Sequence, residues 1–136
     1  MKNLILIIIF LLSSFLLSAQ NTDSVKVVLL KPAEFREEMK IVSNPKLIDV
    51  REFFEYKKSR IKGALNIPAS GNLEFAADTI EKTSHLFLYC TSGFRSKRVG
   101  QRFADRGFVH VYSLDGGITA WKKEGLSIEK KKIRKK

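Results

Sequence analysis

The segment "HLFLYCTSGFRS", residues 85–96, indicates the fold class, because an apolar strand pattern is followed here by a small-residue turn and a basic helix pattern. Residues 85–90 are apolar on both faces, which is typical of a central strand in a parallel sheet. Cys90, the single cysteine of the 136-residue chain, stands at the end of this strand. Ligand sites in open α/β sheets lie at the carboxyl ends of the strands. The sequence therefore predicts a functional site around Cys90.

The rest of the chain alternates between strand and helix patterns. The predicted strands cover residues 25–30, 46–50, 63–68, 85–90 and 109–114. The predicted helices cover residues 32–40, 52–59, 73–82, 95–106 and 117–125. Strands that are separated by helices predict an α/β fold, with a central parallel sheet of about five strands and helices on both faces.

The first twenty residues have the layout of an export signal. They combine the basic start "MKN" with an apolar run from Leu4 to Leu17 and the small-residue end "SAQ". The apolar run is short for a membrane span. The pattern predicts a signal peptide over residues 1–20 that is removed, so we expect a periplasmic or secreted protein. The alternative is an uncleaved segment that anchors the protein in a membrane.

The remainder of the chain divides into one domain and a basic tail. Residues 21–128 have a length that suits a single compact domain. The tail "EKKKIRKK" covers residues 129–136 and carries six basic residues against one acidic residue. We favour a solvated end for this tail, with contact to anionic lipid as the alternative.

The composition limits the classes of ligand. The formal net charge of +11 favours anionic ligands or surfaces, but it does not by itself indicate nucleic acid. The sequence lacks the interleaved aromatic and basic residues of a nucleic-acid module, so no nucleic-acid partner is expected. One cysteine and two histidines cannot build a structural metal site unaided, so no metal is expected either.

The residues after Cys90 form a pattern that suits an anion. Thr91, Ser92 and Gly93 are small, so the backbone can curl and point its amide groups inward. The loop leads directly into a helix N-terminus, where unpaired amides and the helix dipole favour negative charge. Arg95 adds a fixed positive charge. Together these features favour the thiolate of Cys90 over the thiol, which predicts a pKa below the free-cysteine value.

A thiolate of this kind could attack phosphorus or sulfur, and the loop length separates the two. Cysteine-dependent phosphatases place five residues between nucleophile and arginine, which makes a ring wide enough for a phosphoryl group. Here four residues separate Cys90 from Arg95, and the smaller ring suits one extra sulfur atom. His85 cannot serve as a base for Cys90, because five residues of strand separate them by roughly 16 Å. His110 is predicted to be a core or edge residue of its strand.

Three segments in order resemble those of a single-domain rhodanese, which is a sulfurtransferase module. "LIDVREFFEYKKSRIKGALNIP", residues 47–68, resembles the N-terminal signature of that family. "YCTSGFRS", residues 89–96, resembles its active-site loop. "VYSLDGGITAWKKEG", residues 111–125, resembles its C-terminal signature, with the paired glycines and the tryptophan. The resemblance covers nearly all of the chain after residue 20 and implies a rhodanese-like fold.

The resemblance also implies an activity. Cys90 would take the outer sulfur of a small anionic donor such as thiosulfate, or of a persulfide, and hold it as a persulfide within the loop of Thr91, Ser92, Gly93, Phe94 and Arg95. A thiol or cyanide would then accept the sulfur. No metal or organic cofactor is needed, since the cysteine is the carrier. The alternative is a sulfur-carrier or redox binding module that acts with one dedicated partner protein.

Two positions leave the preferred donor open, and a third departs from the family pattern without bearing on the donor. Thr91 stands where some thiosulfate enzymes carry a basic residue, and Phe94 places an apolar ring at the rim of the loop. Arg60 stands where the family often has a histidine, a position that is usually structural.

Asp49 and Arg51 are predicted to lie at the same sheet edge as Cys90, so they are candidates for contact with substrate. However, "DVRE" also has the spacing of a helix-capping box from Asp49 to Glu52, and we favour that structural role. Trp121 is predicted to pack in the core, and Gly116 with its neighbour Gly117 to permit a tight turn into the last helix.

Overall fold

The computed structural model describes residues 25–131 of the chain. The predicted signal peptide at residues 1–20 and residues 132–136 of the basic tail lie outside this range. Within the described range, none of the helices combines the length and the apolar character that a bilayer span requires.

Seven strands and five helices follow one another along the described chain. In order they are β1 (Val28–Leu30), α1 (Pro32–Ile41), β2 (Pro45–Asp49), α2 (Phe53–Lys58), β3 (Ser59–Arg60), β4 (Leu65–Asn66), α3 (Leu73–Thr79), β5 (His85–Tyr89), α4 (Phe94–Asp105), β6 (His110–Leu114), α5 (Gly117–Lys123) and β7 (Glu129–Lys130). The predicted alternation is therefore confirmed. The strands β1 and β4 are shorter than predicted, since both lie at the edges of the sheet and pair with only one neighbour.

Five of the strands form one parallel sheet, in the order β1-β6-β5-β2-β4. This is the predicted α/β fold with a central parallel sheet of five strands. The strand β5 occupies the middle of the sheet, with β6 on one side and β2 on the other. Because all five strands run in the same direction, their carboxyl ends meet at one edge, and Cys90 follows β5 at that edge.

Alternate residues of β5 serve two separate cores. Leu86, Leu88 and Cys90 belong to a cluster beneath α3 and α4, which also contains Val99 and Phe103. Phe87 and Tyr89 belong to a cluster on the other face, beneath α1 and α5. Helices therefore cover both faces of the sheet, as the sequence predicted.

The predicted core role of Trp121 is confirmed. Its ring is buried and meets the ring of Phe35 edge to face, with 6.4 Å between the centroids. Its indole N–H donates to the carbonyl oxygen of Ser127 at 3.0 Å, so the polar atom of this large side chain is also satisfied.

A second sheet joins the end of the described chain to the segment after α2. The strands β3 and β7 pair in antiparallel fashion, with Ser59 opposite Lys130 and Arg60 opposite Glu129. The structure thus differs from the expectation that the chain leaves the fold at residue 129. The first two residues of the basic tail therefore have backbone partners, and the side chains of Arg60 and Glu129 also form an ion pair at 3.1 Å.

Candidate active site

Cys90 lies buried at the carboxyl end of β5, with only 1% of its surface exposed. The chain turns after it through Thr91 and Ser92, and α4 begins at Phe94. Gly93 caps this helix with a φ of 94°, a left-handed conformation that favours glycine. A Cβ atom here would also lie 3.0 Å from the carbonyl oxygen of Leu114. The turn therefore requires a glycine, both because of the left-handed backbone angle and because there is no room for a Cβ atom.

The loop directs hydrogen-bond donors at the sulfur. The amide of Gly93 donates to Cys90 Sγ at 3.1 Å. Burial raises the pKa of the Cys90 thiol. Hydrogen bonds lower the same pKa by a larger amount, and they come from the amide and hydroxyl of Ser96 and from the amides of Ser92 and Gly93. The net direction is below the ordinary value, in agreement with the expectation of an anion cradle.

Ser96 is a member of this cradle that the sequence analysis missed. It lies in the first turn of α4 and is fully buried, and its Oγ lies 3.1 Å from the carbonyl oxygen of Gly93. Its hydroxyl also lies 2.8 Å from the hydroxyl of Ser113 on β6. The sequence pattern that could have identified Ser96 is a serine on the apolar face of an amphipathic helix, three positions before Val99.

Arg95 has a different partner from the one expected. Its guanidinium contacts both carboxylate oxygens of Glu55 on α2, at 3.0 and 3.2 Å, and the hydroxyl of Thr91 at 3.2 Å. Thr91 in turn donates to Glu55 at 3.1 Å. The hydrogen bonds from Arg95 lower the pKa of Glu55, and the same bonds raise the pKa of Arg95. Arg95 therefore braces the loop against α2 and acts on the sulfur as a nearby charge.

The N-terminus of α5 holds the loop from the other side. The amide of Ile118 donates to the carbonyl oxygen of Cys90 at 2.8 Å, and the amide of Thr119 donates to that of Thr91 at 3.2 Å. Gly117 has a φ of 58°, and a Cβ atom on it would lie 2.5 Å from both of these carbonyl oxygens. The predicted tight turn at the paired glycines is confirmed, and its reason is close contact with the cysteine loop.

Asp49 and Arg51 form a buried ion pair beneath the loop. Arg51 Nη2 lies 2.6 Å from Asp49 Oδ2, and the side chains of both residues are almost completely buried. The amide of Arg51 also donates to Asp49, and its guanidinium donates to the carbonyl oxygen of Ser59. The two residues connect β2 to the start of β3, which is a structural role.

The predicted capping box from Asp49 to Glu52 is wrong. The N-cap of α2 is Glu52, and its amide donates a hydrogen bond to the carboxylate of Glu55 at 3.1 Å instead. Asp49 cannot cap the helix, because it is still part of β2 and its carboxylate is occupied by Arg51.

An open cleft lies beside the cysteine loop. Glu52, Ser70, Arg95, Arg98 and Arg102 line it, so the three arginines that share a face of α4 meet here. Phe94 stands at the rim with 69% of its surface exposed, and the guanidinium of Arg98 lies 5.8 Å from the centre of its ring. The site thus offers positive charge and one exposed aromatic ring around a buried sulfur.

The two histidines lie away from this site. His85 and His110 begin β5 and β6, at the amino edge of the sheet, and their rings stack 4.1 Å apart. Within residues 25–131, no three side chains of the types His, Cys, Asp or Glu are placed to hold a metal ion together.

The rhodanese-like domain family model matches residues 31–124, so the chain belongs to this family. The tRNA uridine(34) hydroxylase of Bdellovibrio bacteriovorus is 35% identical over 99 residues, which are 70% of this chain and 28% of that protein. The thiosulfate sulfurtransferase GlpE of Coxiella burnetii is 33% identical over 76 residues, or 56% of this chain and 70% of that one.

Solved structures share the fold. The crystal structure of a rhodanese-related protein from Thermoplasma volcanium superposes with a TM-score of 0.65 and is 27% identical, over 75% of this chain and 97% of that chain. The match therefore covers nearly the whole of that solved chain, whereas it covers about a quarter of the hydroxylase.

Replacing Asp49 with alanine should lower the free energy of unfolding by about 3–5 kcal/mol, because Arg51 would remain buried without its counter-ion. Urea denaturation followed by circular dichroism measures this. The matched control is Asp78→Ala, which breaks the exposed pair with Arg106 and should cost less than about 1 kcal/mol. Equal effects of the two substitutions would contradict the structural role of Asp49.

Alkylation of Cys90 by iodoacetamide should have its midpoint below the free-cysteine pKa of about 8.5. The direction follows from the lowered pKa: the thiolate of the folded chain is already present at a pH where a free cysteine is still protonated. Ser96→Ala should move the midpoint upward, because one donor to the sulfur is lost. Ser127→Ala, an exposed serine, is the control and should leave it unchanged. An unmoved midpoint in Ser96→Ala would exclude the Ser96 hydroxyl from the donors to the sulfur.

Proposed function

We propose that the chain is a sulfurtransferase, which moves sulfane sulfur from thiosulfate or a persulfide donor to a thiophilic acceptor through a persulfide on Cys90. The observation that carries this proposal is the buried Cys90 sulfur, which accepts the Gly93 amide at 3.1 Å and has a lowered thiol pKa. The named thiosulfate sulfurtransferase among the relatives supports it.

In the first half of the reaction, the Cys90 thiolate attacks the outer sulfur of thiosulfate. A new bond forms between Cys90 Sγ and this sulfur, the bond to the inner sulfur breaks, and sulfite leaves with the electron pair. The persulfide is itself an anion, and the amides of Ser92 and Gly93 with the N-terminus of α4 are placed to stabilise it. A persulfide donor would follow the same course, with a thiolate as the leaving group.

In the second half, an acceptor thiolate or cyanide attacks the outer sulfur. The bond to Sγ breaks, and the Cys90 thiolate returns because it is a good leaving group with a lowered pKa. Atoms and electrons balance over the two displacements without an external oxidant. We expect neither a metal nor an organic cofactor, since the cysteine carries the sulfur.

A second candidate is a sulfur-carrier or redox module with one dedicated partner protein. The exposed Phe94 ring at the rim favours it, because a ring that is 69% exposed contributes little to folding but much to contact with a partner. In this case Cys90 would take up sulfur readily and release it only to that partner.

We also propose that the protein acts outside the cytoplasm. The support is the N-terminal pattern of a basic start, an apolar run and a small-residue end.

Cys90→Ser should abolish sulfur transfer while the fold remains, because the exchange is nearly isosteric and a hydroxyl cannot hold transferable sulfur. After treatment with thiosulfate, mass spectrometry should find one added sulfur on the wild type and none on Cys90→Ser. Thiocyanate release from thiosulfate and cyanide measures turnover.

Arg95→Ala should lower the rate of thiocyanate release by up to about a hundredfold and keep measurable turnover, because the loop amides remain.

The outcomes separate the two candidates. Thiocyanate release by Cys90→Ser at the wild-type rate would contradict the covalent mechanism. A wild type that takes up sulfur but passes none to cyanide or small thiols would replace the general sulfurtransferase with the partner-dependent carrier.

N-terminal sequencing of the protein purified from its native cells should find a chain that begins at Gln20 or Asn21, in the fraction outside the cytoplasm. This follows because the small residues at the end of the apolar run suit cleavage after Ala19. An intact Met1 in the membrane fraction would show that the segment is an anchor.

A further inference from the structure

A basic surface lies on α2 and β7, apart from the residues of the cysteine loop. We call it the lysine face and define it by the residues that line one groove, Phe54, Lys57, Lys58, Lys130 and Lys131. All five side chains are exposed, and Phe54 is exposed over 74% of its surface. The four lysines and the Phe54 ring line the same groove.

The fold brings these lysines together from distant parts of the sequence. Lys57 and Lys58 end α2, whereas Lys130 and Lys131 come from β7 and the residue after it. The pairing of β7 with β3 places Lys130 opposite Ser59, and the amide of Lys131 donates to the carbonyl oxygen of Lys58 at 3.2 Å. Backbone hydrogen bonds therefore hold four positive charges on one surface.

The positive charge of this surface is not balanced within the described part of the chain. The ion pairs of residues 25–131 include none of the four lysines. The neighbouring Glu129 is paired with Arg60. Like charges on one surface repel each other, so the arrangement carries a cost that an anionic partner would offset.

The sequence extends the same composition. Residues 132–136 read "KIRKK" and add four basic residues and one apolar residue directly after Lys131. A surface that combines an exposed aromatic ring with several lysines has the composition of membrane-interface segments, in which the ring enters the headgroup region and the lysines meet anionic lipid.

We propose that the lysine face binds the surface of an anionic lipid bilayer, with Phe54 in the headgroup region and the four lysines on lipid phosphates. Two features favour a bilayer over nucleic acid. The face carries lysines, which act as point charges, and no arginine with the planar fork that reads bases. The face also carries the exposed Phe54 ring, which can enter the headgroup region of a bilayer.

Phe54→Trp provides a local readout of this contact. The emission of this tryptophan should shift to the blue with vesicles of phosphatidylcholine and phosphatidylglycerol, and much less with phosphatidylcholine alone. The control is Phe75→Trp on α3, which is similarly exposed at 67% and does not line the lysine face. Its emission should stay unchanged, and Trp121 is buried and contributes a constant background. The full chain is used, so neutral vesicles report any binding through the apolar run at Leu4 to Leu17.

The four lysines can be tested against four matched lysines. Changing Lys57, Lys58, Lys130 and Lys131 to glutamine should weaken co-sedimentation with the anionic vesicles by more than about a hundredfold, since each lysine near an anionic surface contributes about fivefold. The control changes four exposed lysines elsewhere to glutamine, namely Lys26, Lys31, Lys40 and Lys97. Each variant lowers the formal net charge by four, from +11 to +7.

The proposal requires the difference between these two variants. Equal loss in both would mean that net charge alone drives binding, and it would overturn the assignment of the face. An unshifted Phe54→Trp emission with anionic vesicles, or an equal shift with neutral ones, would do the same. A shift of equal size with double-stranded DNA at matched phosphate concentration would overturn the choice of lipid, and inorganic phosphate should give no shift. None of these readouts depends on sulfur transfer.

Discussion

A buried sulfur can remain anionic only if hydrogen bonds replace the water that it has lost, and this requirement governs the whole loop after β5. Burial acts on Cys90 in the direction of the neutral thiol, and the amides of the loop together with Ser96 outweigh it. The donors can reach the sulfur only if the chain turns sharply at once after the strand. This turn accounts for the left-handed glycine at position 93 and for the start of α4 directly behind it.

The loop keeps this shape because it is held from two sides. The amides that begin α5 bind the carbonyl groups of Cys90 and Thr91, and Gly117 allows the two segments to approach without a side chain between them. On the other side, Glu55 accepts hydrogen bonds from Arg95 and Thr91. These supporting contacts use the carbonyl groups and the side chains of the loop. The loop amides therefore remain free to donate hydrogen bonds to the sulfur.

The fold and the position of Cys90 could be predicted from the sequence, because both follow from local patterns. The apolar run and the small-residue turn are contiguous, and parallel strands place such a turn at a predictable edge. Glu55 was missed because it meets Arg95 across 40 positions of sequence, and Ser96 because its partner Ser113 lies on another strand. The prediction of a capping box at Asp49 was wrong for a related reason. The spacing to Glu52 fits a capping box, but the Asp49 carboxylate accepts hydrogen bonds from the buried Arg51 instead. Contacts between distant side chains leave no periodic signal in a single sequence.

The helix α2 shows how such contacts can replace burial. It has six residues and none of them is buried, so packing of an apolar face contributes little to its stability. Polar contacts hold it instead: Glu55 to the cysteine loop, the hydroxyl of Tyr56 to the carbonyl oxygen of Ala64, and the carbonyl oxygen of Lys58 to the amide of Lys131. Because one helix carries both Glu55 and Phe54 with two lysines, whatever holds the lysine face in place also fixes the carboxylate that braces Arg95. The shortest helix of the fold, α2, thus links the lysine face to the sulfur site through hydrogen bonds.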